Sequence, residues 1–536
     1  MDVIGADLQS NFIKYCEDYD TGSVDNGGKV VPSTDGQRVF AEFLAEQAQA
    51  MGYETFLAEK GENSFGLKIS VKSNITDREV MPIALGAHLD AAGNAEKVAN
   101  SGVEVVVHEN YDGSDIHLEN DVVIGQDQFS GLERYVGDTL YTSNGKTLLK
   151  GDDVAGITSI MGLLKYFSDN PDVEHGDVDI ILTYDEEQGL YGGFLLDMLK
   201  DTNAEAMMIL DNEDGKLGID TFNAANAVTP LQIDVLENDV SGEKYKINIA
   251  GQTSFPGHGK EEGLVDAYRT LPAVYSILKS LGASIVSVGG EGHSGIELEV
   301  IVDNGTDLSA LSEIIDERFR EHGIEKIRKY ADAPVTYEKV DETATTGFVY
   351  NLSQFVAFVE GIPNELTAEQ SEGDQPYLQP WVFVPKDDGN SEVGVYSLLR
   401  AFETDQLDNL KQRVRDAVPE SEITDDYFNM RDKLQEEAPW LITEAEAAMQ
   451  KAFEATGYTG EVLMNETRGG TEASAYTLNA KRSLPTVNVG VMGGGFHNPC
   501  EFTGKSGMLR GFLSALYFTE AMAQRDYTPA QAPGPK

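Results

Sequence analysis

Cysteine is almost missing from this sequence: Cys16 and Cys500 are the only two among 536 residues. That excludes a disulfide framework and points to a reducing compartment. Also missing is any apolar run long enough to cross a bilayer, and the opening Met1-Asp2-Val3 has neither the basic nor the apolar region of a secretory leader. A cytoplasmic location is the expectation. Basic residues are scarce, 40 against 91 acidic ones, for a formal net charge of -51. So negative a surface repels phosphate backbones and anionic lipid, so neither nucleic acid nor membrane is an expected partner. A generally acidic proteome and adaptation to high salt would each explain the excess; a metal site would use only a handful of these carboxylates.

What is present is ordinary for a folded soluble protein. Hydrophobic residues make up 41% and aromatics 9%, and the length allows two or three domains. The organising stretch is Lys150-Gly151-Asp152-Asp153-Val154-Ala155-Gly156. Ile157, Ile160, Met161, Leu164 and Phe167 follow at helical spacing, so the acidic pair stands at a helix N-terminus. A helix cap is the plain reading of such a pair. Its company argues for more: His88-Leu89-Asp90, Asp185-Glu186-Glu187, Asp211 and His497 are oxygen and imidazole donors of the kind that bind zinc. Asp152 is accordingly read as a carboxylate bridging two metal ions.

Three short apolar runs each deliver such residues at their C-terminal end. Residues 81–87 lead to His88, residues 180–184 to Asp185-Glu186-Glu187, and residues 206–210 to Asp211. In open α/β sheets ligands gather beyond the strand carboxyl ends. With helical stretches between the runs, the expected fold class is α/β: a mostly parallel sheet with helices on both faces, interrupted by an α+β lid domain. Expected boundaries are 1–221 and 432–536 for the catalytic domain and 222–431 for the lid. Residues 94–139, polar and aperiodic, read as a surface insertion near the site, and the tail from Tyr527, with Pro529, Pro533 and Pro535, as disordered. The lid region holds a weak internal repeat, residues 295–319 against 394–414, each a strand, a capped turn and an amphipathic helix. A helix is expected over residues 440–457, capped by Gly457.

The motifs suggest roles. In His88-Leu89-Asp90, residues two apart on a strand end share a side, so Asp90 can accept a hydrogen bond from the His88 nitrogen facing away from a metal. Glu186 and Glu187 are neighbours whose side chains diverge: general base is assigned to Glu186 and ligation to Glu187, the alternative being a solvated acidic turn. In Gly493-Gly494-Gly495-Phe496-His497-Asn498-Pro499-Cys500-Glu501 the glycines permit close backbone approach around His497, with Glu501 near enough to orient it. Arg468-Gly469-Gly470-Thr471-Glu472 offers a guanidinium suited to a peptide carboxylate, or equally to a surface salt bridge.

These motifs, with Val31-Pro32-Ser33-Thr34-Asp35-Gly36-Gln37, His108-Glu109-Asn110-Tyr111, Thr147-Leu148-Leu149, Phe222-Asn223-Ala224-Ala225 and Tyr427-Phe428-Asn429-Met430-Arg431, occur in the order of one family. The sequence resembles the peptidase T group of tripeptide aminopeptidases, within the aminoacylase and carboxypeptidase-like dizinc metallopeptidases. The resemblance implies one zinc on His88, Asp152 and Asp211 and another on Asp152, Glu187 and His497, with cobalt or manganese as possible substitutes. It implies that Asp90 orients His88, that the Asp152–Asp153 peptide is cis, and that hydroxide on the metal pair attacks the carbonyl with Glu186 as base. Arg468 would bind the carboxylate of a short peptide, and a homodimer could form through the lid. Val154 stands where the family has Lys. Phe255-Pro256-Gly257-His258 replaces His-Pro-Gly, leaving His258 or His293 as candidate substrate-binding histidines. Residues 283–358 look inserted. The implied activity is removal of the N-terminal residue from tripeptides; a dipeptidase, an N-acyl amino acid hydrolase and an inactive peptide-binding homologue are the alternatives.

Overall fold

In a computed structural model of the protein, residues 2–24, 28–58, 66–92, 101–126, 129–190, 202–232, 234–251, 267–289, 295–312, 335–362, 376–385, 392–467, 469–479 and 482–528 are described. Arg468, His258, His293 and the end of the tail lie outside them. The chain divides into two compact units: Met1–Thr221 with Phe428–Lys536, and Phe222–Tyr427. The second boundary falls a few residues before the expected one. Asn429 and Arg431 belong with the strand that precedes the first boundary: the Arg431 guanidinium donates to Asp220 Oδ2 at 2.9 Å and the Asn429 amide to Asp220 Oδ1.

The first unit is built on an eight-stranded mixed sheet. Its strands are β1 (Glu54–Leu57), β2 (Gly66–Val71), β3 (Ile83–His88), β4 (Val178–Thr183), β5 (Ala206–Glu213), β6 (Lys216–Thr221), β7 (Leu463–Thr467) and β8 (Thr486–Met492), in the order β1-β2-β4-β3-β5-β8-β6-β7. The four central strands β4, β3, β5 and β8 are mutually parallel. β1, β2 and β6 join antiparallel to their inner neighbours, and β7 runs parallel to β6. The apolar runs are buried on both faces, which is why they read as continuous rather than alternating. In β3, Ile83, Leu85 and Ala87 enter the larger core cluster, while Ala84 enters a smaller one with Ile181, Met207, Ile209, Ala473 and Tyr476.

Long helices supply the larger cluster: Asp2–Asp18, Asp35–Ala50, Gly151–Asp169, Pro439–Thr456 and Lys505–Gln524. Helix Pro439–Thr456 ends on Gly457 at φ 73°, the left-handed cap that glycine permits. The short helix Glu472–Thr477 serves the smaller cluster. Residues 94–139 are not the simple surface insertion expected. Leu132 and Tyr135 are fully buried, and Val106–His108 pairs with Leu140–Thr142, which pairs in turn with Phe502–Gly504. The polar composition hid a few deeply placed aromatic and aliphatic anchors.

The second unit contains two four-stranded antiparallel sheets. One is ordered Tyr377–Pro385, Glu392–Ala401, Asn223–Gln232, Glu422–Asp425; the other Ser284–Gly289, Gly295–Val302, Asp234–Ala250, Val335–Asn351. The two strands of the internal repeat, Gly295–Val302 and Glu392–Ala401, each lie second in their own sheet. Helix Thr404–Ala417 follows the latter and buries Leu407, Leu410 and Val414.

A buried ion pair ties the last helix of the first unit to the turn after β5. Arg510 Nε donates to Asp214 Oδ1 at 2.9 Å, a second guanidinium nitrogen reaches Oδ2, and the Tyr135 hydroxyl donates to the same carboxylate at 3.0 Å. Removing one partner strands the other charge in the core. Arg510→Met is expected to lose about 3–5 kcal/mol, read as a lowered denaturation midpoint; an unchanged midpoint would show that Asp214 finds water instead.

Candidate functional site

The parallel centre of the sheet sends four strand ends to one side. β3 ends at His88, β4 runs into the turn bearing Asp185-Glu186-Glu187, β5 carries Asp211 near its C-terminal end, and β8 leads to the glycine-rich loop with His497. Helix Gly151–Asp169 starts beneath them with Asp152 and Asp153 in non-helical conformation, joined by a cis peptide. Gly156 lets that helix start close to the sheet, since a Cβ there would sit 2.1 Å from the Leu210 carbonyl oxygen. Val154, where a lysine was expected from the resemblance, is buried in the larger core.

Residues far apart in sequence meet here. His88 Nε2 lies 2.9 Å from Asp152 Oδ1 and 3.6 Å from Asp211 Oδ1. His497 Nε2 lies 3.4 Å from Asp152 Oδ2 and 2.9 Å from Glu187 Oε1. Asp152 thus turns one oxygen to each histidine. His88, Asp152 and Asp211 form one group, and Asp152, Glu187 and His497 another, in which the ligand atoms all lie within 4.8 Å of one another.

The donor chemistry fits two small divalent cations. His88 Nδ1 is 3.0 Å from the Asp90 backbone carbonyl, which can only accept, so the ring proton sits on Nδ1. The remaining Nε2 lone pair then faces two carboxylates, an arrangement that repels unless a proton or a cation lies between. The same holds at His497, whose Nε2 faces the buried Oε1 of Glu187 and an oxygen of Asp152. Without a cation, a proton takes its place. Burial alone would lower the pKa of both histidines, yet Asp152 and Asp211 raise that of His88 and Glu187 and Asp152 raise that of His497. Burial likewise would raise the Asp152 carboxyl, but His497 and His88 outweigh it and hold it ionised.

Asp90 lies against the His88 ring as expected and does more besides. Its carboxylate is 3.4 Å from His88 Nδ1, and it accepts the backbone N–H of Glu186 at 2.9 Å and of Glu187 at 3.2 Å. It therefore also holds the acid turn against the strand end. Glu501 acts on backbone rather than on the His497 ring. It accepts backbone N–H groups from Leu149, Lys150 and Asp152, each at 2.9 Å, fixing the loop that carries Asp152. Glu186 is buried, and burial followed by the neighbouring acids raises its pKa well above the usual carboxylate range.

Sequence reasoning missed several participants. Asp153 is fully buried and accepts the N–H of Gly156 and of His88. Asn488 in β8 donates to the Asp211 carbonyl at 2.7 Å and accepts the Asp211 N–H at 3.0 Å; a lone amide in Thr486-Val487-Asn488-Val489-Gly490-Val491-Met492 was the available signal. Glu472 is buried, accepts the Thr183 hydroxyl at 2.8 Å, and leaves its other oxygen without a partner. Arg468 and His258, the expected substrate-binding residues, lie outside the described residues, as does His293.

The model of Peptidase family M20/M25/M40 matches residues 150–518. The chain belongs to that family. A Peptidase T of Caldanaerobacter subterraneus is 33% identical over 251 residues, covering 46% of this chain and 54% of the relative, so the chain spans about half the length of that protein. A Peptidase T of Clostridium perfringens is 29% identical over 348 residues, covering 62% of this chain and 77% of the relative. Among solved structures, the aminopeptidase PepT of Bacillus cereus has a TM-score of 0.54 at 13% identity, covering 97% of this chain and 99% of that one. The M20 fold is thus shared along nearly the whole chain.

The buried Glu472 gives a pH-dependent stability. Burial, opposed by the Thr183 hydroxyl, raises its pKa from 4.5 to about 8. The folded protein therefore holds a proton that the unfolded chain releases above pH 4.5, so this contribution is full at low pH and lost as pH rises towards 8. In chelator-treated protein, melting temperature should fall more steeply between these limits for the wild type than for Glu472→Gln. Parallel slopes would refute the assignment.

Proposed function

We propose that the chain is a dizinc exopeptidase that removes the N-terminal residue from short peptides, tripeptides foremost. The observation that carries this reading is Asp152, whose two oxygens face His88 on one side and His497 on the other. His88, Asp152 and Asp211 would hold one ion and Asp152, Glu187 and His497 the other. Bound there, the ions supply the Lewis acidity that polarises a peptide carbonyl and makes a nearby water acidic enough to attack it.

The remaining chemistry belongs to the chain. Glu186 accepts a proton from the attacking water and later gives it to the departing amine, so the C–N bond breaks as a neutral amine leaves. Burial raises its pKa well above the usual carboxylate range, which strengthens it as a base for the water proton and suits a group that must hold that proton until the amine departs. Asp90 keeps the Glu186 and Glu187 backbone fixed while leaving both carboxylates free. Arg468 is the proposed anchor for the substrate carboxylate. Peptidase T relatives support the peptide substrate, and two buried cysteines that form no disulfide suit a reducing cytoplasm.

Chelation should abolish turnover of tripeptides and added zinc, cobalt or manganese restore it. Glu186→Gln should keep both ions yet lower kcat by about 10²–10⁴-fold, while Asp152→Ala should lose metal and activity together. Tripeptides, dipeptides and N-acyl amino acids assayed side by side define the substrate class. Turnover that survives chelation, or that Asp152→Ala leaves intact, would overturn the proposal.

A further inference from the structure

The motif Val31-Pro32-Ser33-Thr34-Asp35-Gly36-Gln37 has no part in the chemistry above, yet its contacts lead straight to the site. Gln37, in the first turn of helix Asp35–Ala50, is fully buried, and a buried amide is costly unless its groups are paired. Its partner is Asp185. Gln37 Oε1 accepts the Asp185 N–H at 3.1 Å and Gln37 Nε2 donates to Asp185 Oδ1 at 2.7 Å. Ser33 completes the clamp: its hydroxyl donates to Oδ1 at 2.6 Å and its backbone N–H to Oδ2 at 2.7 Å. Asp185 itself sits at φ 52°, in the left-handed region that a residue with a side chain rarely adopts without such restraint.

The same stretch of chain also grips the other half of the site. Ser23 N–H and hydroxyl both donate to the Ala91 carbonyl, at 3.1 and 3.0 Å, and Ala91 N–H donates to the Thr21 carbonyl at 3.1 Å. The Thr34 hydroxyl donates to the Gly22 carbonyl at 2.8 Å, and Gln188 Nε2 donates to Ser23 Oγ at 3.0 Å. So one N-terminal brace holds both the strand end that carries His88 and Asp90 and the turn that carries Glu186 and Glu187. Each of these bonds goes to backbone, to Asp185 or to Gln188. None uses the carboxylates of Glu186 and Glu187, which stay free for chemistry.

We propose that Gln37 and Ser33 are positioning residues: acting through Asp185, they set the direction in which Glu186 and Glu187 project. This rests on the proposed dizinc function. A hydrogen bond to a charged group is about twice as strong as a neutral one, and here three converge on the Asp185 carboxylate while a fourth holds its backbone N–H. Loosening them lets the turn swing about its remaining tether at Asp90, which moves Glu186 and Glu187 and leaves His88, Asp152 and Asp211 where they are.

The test compares Gln37→Met, which keeps length and loses both hydrogen bonds, with Ser33→Ala and the hydroxyl-preserving Ser33→Thr. Each full-length variant is measured for melting temperature, for stepwise zinc binding by calorimetry after metal removal, and for kcat and KM on a tripeptide. Gln37→Met and Ser33→Ala should lower kcat about tenfold to a hundredfold with KM within about twofold, in keeping with lost charge-assisted bonds. They should weaken only one of the two zinc-binding steps, the one Glu187 completes, and Ser33→Thr should restore both properties. If Gln37→Met does not fold, Ser33→Ala at its half-buried position carries the comparison. Unchanged kcat and zinc binding, or a uniform loss of both zinc steps together with melting temperature, would overturn the brace. A wild-type protein with normal folding but no zinc step at all would overturn the function itself, and this inference with it.

Discussion

Burying many negative charges in one place is the constraint around which the first unit is arranged. Asp90, Asp152, Asp153, Asp185, Glu186, Glu187, Asp211, Glu472 and Glu501 gather beyond the ends of four parallel strands, most of them out of contact with solvent. Isolated carboxylates in such surroundings are very unfavourable, and a fold has three remedies: donors, protons and cations. Each is used on a different subset. Asp90, Asp185 and Glu501 are surrounded by N–H and hydroxyl donors. Asp153 and Glu472 are pushed by burial towards their protonated forms. Among the described residues, Asp152, Glu187 and Asp211 face chiefly imidazole rings, and these are the groups that form the two candidate metal clusters.

That division explains why the site is so rigidly supported. A carboxylate meant for a cation cannot also be tied down by donors without losing ligand strength, so its backbone must be held in its place. The pattern recurs: Glu501 holds the backbone before and at Asp152, Asp90 holds that of Glu186 and Glu187, and Asn488 holds that of Asp211 through both its N–H and its carbonyl. In each case the supporting side chain is itself buried, which fixes its own rotamer and passes that stiffness on to the carboxylate it serves.

The fold of this unit was legible because its central strands are short apolar runs buried on both faces, and each ends in a polar signature that interrupts the run. His88, Asp185-Glu186-Glu187 and Asp211 stood out for that reason, and so did the Asp-Asp pair at the head of an amphipathic helix. Most of the supporting contacts were not legible. Asp90 sits two residues from His88 and reaches its ring as that spacing suggests, but its carboxylate also accepts from a turn that follows almost a hundred residues later. Only the strand order, which places β4 directly beside β3, brings the two together. Glu501 and Asn488 act across still longer separations, and a sequence gives no register between parallel strands. Residues 94–139 misled for a different reason, since a handful of anchors such as Leu132 and Tyr135 suffice to build a polar segment into the core.

The region matched by the family model begins at residue 150, but the constellation does not. His88 and Asp90 lie on β3 and the Gln37 clamp lies earlier still, while Asp152, Glu187, Asp211 and His497 fall inside the matched region. The two portions are not separable. β3 is hydrogen-bonded on both sides, to β4 and to β5, so the strand that delivers His88 is an interior strand of the sheet that delivers the rest. Deleting what precedes residue 150 would open the parallel centre of the sheet, strip His88 from one cluster and remove the donors that neutralise Asp185. Asp152 would then have a histidine on one side only, and a carboxylate balanced by an imidazole at each oxygen would become an unbalanced charge at a helix start. Sheet order and charge balance thus require the same stretch of chain.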